Sequence, residues 1–168
     1  SYANALKSVL REAPDVVLIG EIRTREAMEA AIELAGTGHL ALSTLHANNA
    51  YQAMERIINL FPQAMHKTLF MDLSVYLRAI LSQRLVRTKS GARCAAMEVL
   101  INTPHIADLI RDGRVDAVNE AMQQSNSEGI RTFDDALLAL YREGTITLEE
   151  ALANADSAPN LEAKVHFG

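Results

Sequence analysis

Apolar positions along this chain fall first into short unbroken runs and then into helical stripes. Residues 4–12 place Leu6 and Leu10 four apart, as on one helix face, and Pro14 ends the pattern because proline disfavours helix in the residue before it. Val16–Ile19 is apolar throughout, without alternation, which suits a strand covered on both faces, as in a parallel sheet. Thr24 is placed to cap a helix with Met28, Ile32 and Ala35 as its inner stripe, closed by Gly36 and Gly38. His39–Leu45 reads as a second buried strand. Asn48 or Asn49 can cap a further helix with Ala50, Met54, Ile57 and Ile58 on one side, broken at Phe61-Pro62.

Met65, Leu69, Leu73, Tyr76, Leu77, Ile80 and Leu81 recur at helical spacing and predict one long amphipathic helix over 63–86, with its stripe facing a core. Lys89-Ser90-Gly91 is a turn, and Ala95–Ile101 is a third strand. The register then shifts to short helices. Thr103-Pro104 reads as a cap with proline at the first helical position, and Gly113 as a stop. Segments 115–124 and 133–143 follow, and Thr147 with Glu150 fits a capping box. From Ser157 to Gly168 the pattern fades and a loosely held tail is expected. The expected organisation is a core over 1–101, a helical subdomain over 102–156 and a tail over 157–168.

Composition narrows this picture. The chain has 168 residues, 49% hydrophobic and 22% charged, which is ordinary for a globular domain. Aromatics are only 5%, with no Trp, so the core must be aliphatic. A net charge of −5 argues against a dedicated nucleic-acid binder, which would present a basic face. It leaves nucleotide binding open, because a phosphate site needs only local positive charge. The single cysteine, Cys94, rules out an internal disulfide and reads as a small buried apolar residue. No apolar run approaches membrane-spanning length and no secretory signal opens the chain, so a cytoplasmic protein is the expectation.

The candidate chemistry sits at the ends of the first two strands. Glu21 follows Val16–Gly20, and a carboxylate at the carboxyl end of a buried strand projects into the crevice where open α/β sheets bind ligands. In phosphoryl transfer such a group holds Mg²⁺ or orients the attacking water. The plainer alternative is a glutamate pairing with Arg23 or Arg25. His46 ends the neighbouring strand, where an imidazole can hydrogen-bond a phosphate; the alternative is a solvated or structural histidine. His39, at that strand's other end, reads as structural. Arg23, Arg25, Arg78, Arg84 and Arg87 are candidates for phosphate or subunit contacts, or for surface ion pairs. No metal-ligand spacing is present, so any metal should arrive with a nucleotide. No G-x-x-x-x-G-K-[ST] phosphate loop occurs in the 168 residues.

Three segments taken together resemble one family: LREAPDVVLIGEIR at 10–23, GTGHLALSTLHANNA at 36–50 and ILSQRLVR at 80–87. They resemble the Walker B strand, the His box and a following segment of the hexameric secretion and pilus motor ATPases. The match extends over nearly the whole chain. The Cys-x-x-C module usual in the assembly and type II secretion branch has no room between Thr88 and Cys94, which points to the pilus retraction branch, PilT and PilU. RIINLFP at 56–62, MDLS at 71–74, His105–Asp108 and the ending from Asp134 to Ser157 are similar to the PilU side. Asp is common after the family's GEIR, whereas Thr24 stands here.

The resemblance implies an α/β fold: the C-terminal part of a RecA-like ATPase domain, three-layered with a mostly parallel sheet, then a small helical subdomain. It implies ATP with Mg²⁺ as cofactors, Glu21 as the Mg²⁺ partner and water-orienting base, and His46 near the γ-phosphate. Thr44 would line the same strand end and Arg23 would help fix Glu21. It implies a hexamer on the cytoplasmic face of the inner membrane, working with a principal retraction ATPase and a pilus platform protein to withdraw pilin. A PAS-like domain, the phosphate loop and an Asp box are expected before Ser1, so the chain alone is expected to be inactive and to leave unpaired strand edges. The alternatives are a type II secretion or pilus assembly ATPase, a non-catalytic ring scaffold, and a DNA helicase on the same core.

Overall fold

A computed structural model describes residues 8, 12, 14–125 and 127–167. The helix expected over 4–12 lies mostly outside these, with Ser8 and Glu12 themselves helical. The chain groups into two compact units. Of the described residues, one takes in those up to 47 with 52–78 and 102–115; the other takes in 48–51, 79–101 and those from 116 onward. Residues 102–115 thus fall in the first unit and 79–101 in the second.

In the first unit, β1 (Val16–Glu21) pairs in parallel with β2 (Leu40–Thr44). The crossover is helix α1 (Arg25–Gly36), as parallel pairing demands. Thr24 opens α1 by accepting the Ala27 N–H. Gly38 adopts φ +96° in the turn into β2, a conformation a side chain would strain. The inner face of α1 is Ala27, Met28, Ala30, Ala31 and Leu34. Met28 fits the expected stripe, while Ile32 and Ala35 are only half-buried. Coverage of the strands on both faces is not found: Val16 is 52% exposed, Leu18 74%, Leu40 45% and Leu42 46%. The apolar run marks strands whose second face this arrangement leaves open.

Helix α2 (Ala50–Asn59) buries Ala50, Met54 and Ile57 as expected, and it stops before Phe61-Pro62. The long helix expected over 63–86 is instead a 3₁₀ turn (Gln63–Met65), helix α3 (His66–Tyr76) and strand β3 (Ala79–Arg87). The apolar set Ile80, Leu81, Leu85 and Val86 fits a 3.6-residue period by spacing alone. In the fold, Ser82 and Val86 are buried and Leu81 and Leu85 exposed, a two-residue alternation. Asn102 marks the switch: its Nδ2 donates to the carbonyls of Ser74 and Leu77 at the end of α3. Helix α4 (Pro104–Arg111), capped by Thr103, packs on α3. It is followed by Gly113, whose φ of +72° strains any side chain and where a Cβ would meet the Phe70 ring at 3.1 Å.

In the second unit β3 pairs antiparallel with β4 (Arg93–Ile101) across the expected turn, where Gly91 takes φ +84°. Four short helices follow: α5 (Val118–Gln124), α6 (Phe133–Arg142), α7 (Leu148–Asn154) and α8 (Ala158–Phe167). Their core joins Val86 and Ala96 of the hairpin to Phe133, Leu137, Ile146 and Leu161. The loose tail expected from Ser157 is thus corrected: it forms α8, and Leu161 is fully buried. A single buried leucine in the ten-residue α8 carries too little periodicity to be read in advance. Of the capping box at α7, Thr147 accepts the Glu150 N–H, but the Glu150 carboxylate turns to the Arg87 N–H and Asn154.

Candidate functional site

The parallel ladder holds register from Val16↔Leu40 to Ile19↔Ser43 and then slips, so that Glu21 faces Thr44. Gly20 is the extra residue, and a bulge of this kind re-aims the side chain that follows it. Thr44 fixes the bulge from both sides of its own backbone. Its Oγ1 donates to the Gly20 carbonyl at 2.6 Å, and its carbonyl accepts the Ile22 N–H at 2.9 Å.

The bulge delivers Glu21 to a cluster at the carboxyl ends of both strands. Oε2 of Glu21 lies 2.6 Å from an Arg23 guanidinium nitrogen, and Oε1 lies 3.0 Å from Nε2 of His46. A carboxylate only accepts, so Nε2 carries the proton; in the neutral ring Nδ1 is then an open acceptor. Arg56, from α2, donates to the His46 carbonyl at 2.9 Å. The hydrogen bond from Arg23 is the main cause holding the Glu21 carboxyl below its ordinary range; partial burial opposes it, and the charges of Arg23, His46 and Arg56 add to it. Glu21 keeps 24% of its side chain exposed, against 73% for Arg23 and 75% for His46, so the carboxylate is ionised at an open rim.

All four residues singled out from the sequence, Glu21, Arg23, Thr44 and His46, are therefore brought together. Arg25 is not: it pairs with Glu29 along α1. His39 lies apart, its Nδ1 within 3.0 Å of Thr37 Oγ1 and 3.2 Å of the Leu34 carbonyl, at the end of α1. Arg56 was missed, because no local pattern ties a residue in mid-helix to a histidine ten positions earlier. Among the described residues no group of three or more His, Cys, Asp or Glu could hold a metal by itself. A lone ionised carboxylate at an open strand end fits a hard cation that brings most of its oxygen ligands with it, as Mg²⁺ on a phosphate does.

The arrangement gathers a carboxylate, an arginine and a histidine at the carboxyl ends of two parallel strands, and comparison with known proteins gives the chain a family. Residues 1–94 match the family model described as type II/IV secretion system protein. The chain belongs to that family. It is 53% identical to the type IV pilus ATPase PilU of Pseudomonas aeruginosa over all of its own length and 44% of that protein's. It is 38% identical to a twitching motility protein of Neisseria gonorrhoeae, over 96% of this chain and 43% of the relative. The crystal structure of the pilus retraction motor PilT with bound ADP superposes with a TM-score of 0.85 at 39% identity, covering 96% of this chain and 46% of that one. The fold is accordingly the C-terminal portion of the ATPase domain, and the chain spans about half the length of the relatives it matches.

Proposed function

We propose that this chain supplies the Walker B glutamate and the phosphate-side histidine of a type IV pilus retraction motor of the PilU/PilT kind, which couples ATP hydrolysis to pilus disassembly. The observation that carries the reading is the Glu21–His46–Arg23 cluster at the ends of two adjacent parallel strands. Its support is the similarity to pilus ATPases over the entire chain. No helix among the described residues is long and apolar enough to cross a membrane. On this reading the motor works as a hexamer on the cytoplasmic face of the inner membrane. Its partners there are a principal retraction ATPase and the pilus platform protein.

Mg²⁺ and the triphosphate, when bound, supply the electrophilic phosphorus and neutralise charge on the transferred group. Glu21 would be the cation's protein-side oxygen and would orient the attacking water, accepting its proton. Arg23 and the site's other cations keep that carboxylate ionised and fix its rotamer. His46 donates to Glu21 here; a phosphate oxygen is a competing acceptor for the same Nε2–H, so exchange of partner would release Oε1 for chemistry. Thr44 holds the bulge that aims Glu21.

The 168-residue chain contains no phosphate loop, and the expectation is that it does not turn over ATP alone. The test compares ATPase activity of this chain with that of a chain extended by its upstream coding sequence, each with and without Glu21→Gln. Hydrolysis only by the extended chain, abolished by Glu21→Gln, supports the reading. An inactive extended chain, or indifference to the substitution, replaces it with a ring-scaffold role.

A further inference from the structure

His46 stands beyond the last rung of its strand. The β1–β2 ladder ends at the Glu21↔Thr44 pair, β2 itself ends at Thr44, and residues 45–47 lie in no regular element. The imidazole is 75% exposed and meets Glu21 through one ring nitrogen. Neither a ladder bond nor burial therefore fixes the peptide that carries the ring. A side chain from α2 does. Arg56 donates from Nη1 to the His46 carbonyl at 2.9 Å, from ten residues further along the chain. Both residues belong to the first unit, so the contact is internal to it. The buried side of α2 is Ala53, Met54 and Ile57; Arg56 stands outside that face, exposed. Its charge is also among those that keep the Glu21 carboxyl low, which sets Arg56 beside the Glu21–His46 pair.

An exposed hydrogen bond of this kind contributes little to stability, because water competes for both partners. Its consequence is geometric. A guanidinium on a helix is a planar, directional donor, and it pins a carbonyl that the sheet has released. An error of about an ångström in a reacting group costs a reaction far more than it costs a fold. We propose that Arg56 is a positioning residue for His46: by holding the His46 carbonyl to α2 it sets the aim of the imidazole at the ends of β1 and β2. The inference rests on the reading of His46 as a phosphate-side residue. It adds that this aim is set from α2 and not from the sheet.

The test is a substitution cycle in the chain extended by its upstream coding sequence: Arg56→Ala, His46→Ala and the two together, read as kcat and KM for ATP. Arg56→Ala is expected to lower kcat about tenfold or more while KM stays within about twofold. Added to His46→Ala, it should change kcat by less than about twofold, because the group it positions is already gone. In the 168-residue chain Arg56→Ala should shift the ring resonances of His46 and leave those of His39, which precedes β2, in place. Unmoved His46 resonances or an undiminished kcat in Arg56→Ala would overturn the proposal. So would an equal loss with and without the His46 side chain, since Arg56 would then act by its own charge. The functional reading fails separately: a His46→Ala chain with full turnover removes the phosphate-side role and the proposal with it. A costly His46→Ala beside a harmless Arg56→Ala sinks the positioning alone.

Discussion

Two glutamates, one on each of the two small sheets, meet opposite fates. Glu21 stands at an open strand end, and cationic partners, Arg23 above all, hold its carboxyl below the ordinary range. Glu98 lies on the buried face of β4, and burial pushes its carboxyl up despite two backbone hydrogen bonds. Residue type is the same; surroundings decide whether the group is ready for chemistry or spent on architecture. A reactive carboxylate must be ionised and reachable, which an exposed rim with arginine beside it provides. A buried one must have its lone pairs filled by donors, and those donors are then fixed by it.

The contrast breaks most visibly in activity. Glu21→Gln should cut turnover of the extended chain by at least about a hundredfold, the usual scale for losing a positioned general base. Retained turnover would mean that the exposed carboxylate has no chemical task. In the second unit the largest effect belongs to Leu161→Ala, expected to destabilise by about 3 kcal/mol in denaturant unfolding because the side chain is fully buried in the core. A change within about 0.5 kcal/mol would restore the picture of a loose C-terminal tail. Glu98→Ala should cost about 2 kcal/mol, since the Ala50 and Phe133 N–H groups lose their acceptor, offset in part by removing a buried charge. Thr24→Ala should cost about 1 kcal/mol through the lost cap of α1.

The pH dependence sharpens the same comparison. Glu98 binds its proton more tightly folded than unfolded. Below the ordinary glutamate value both states are protonated and the group contributes nothing. As pH rises through that value towards the raised folded one, the unfolded chain ionises first and stability falls; the cost then persists at higher pH. Asp134, also raised by burial, slopes the same way. Glu98→Gln should flatten the fall in stability over that window, whereas Glu21→Gln should not. An unchanged profile in the Glu98 variant would show that burial does not govern its ionisation.

Much of the site was legible because it is local. Glu21 and Arg23 are two residues apart, and Thr44 and His46 follow from a strand whose end is marked by the change from apolar to polar. The parallel pairing needed only a crossover helix, and the caps at Thr24, Thr103 and Thr147 could be read because capping is a contact across three residues. The bonds from Arg56 to the His46 carbonyl, from the Ala50 N–H to Glu98 and from Arg84 to Asp156 were not legible, because the partners lie 10 to 72 positions apart. One signal was available for Glu98: it alternates with Ala96 and Leu100, so a charge falls on the buried face of a strand.

By itself, then, the sequence determined the parallel strand pair, the helix starts, the meeting of Glu21 with His46 and the family. These depend on spacing, on capping and on the side-chain period of each element. Only the tertiary structure decided that 79–87 is a strand, that 158–167 is a packed helix, and which far residues hold the loop after His46. For 79–87 the apolar spacing satisfied both periods, and pairing with 93–101 settled it by hydrogen-bonding the whole length. For 158–167 a single leucine, buried by a core made elsewhere in the chain, supplied the free energy that the local pattern lacked.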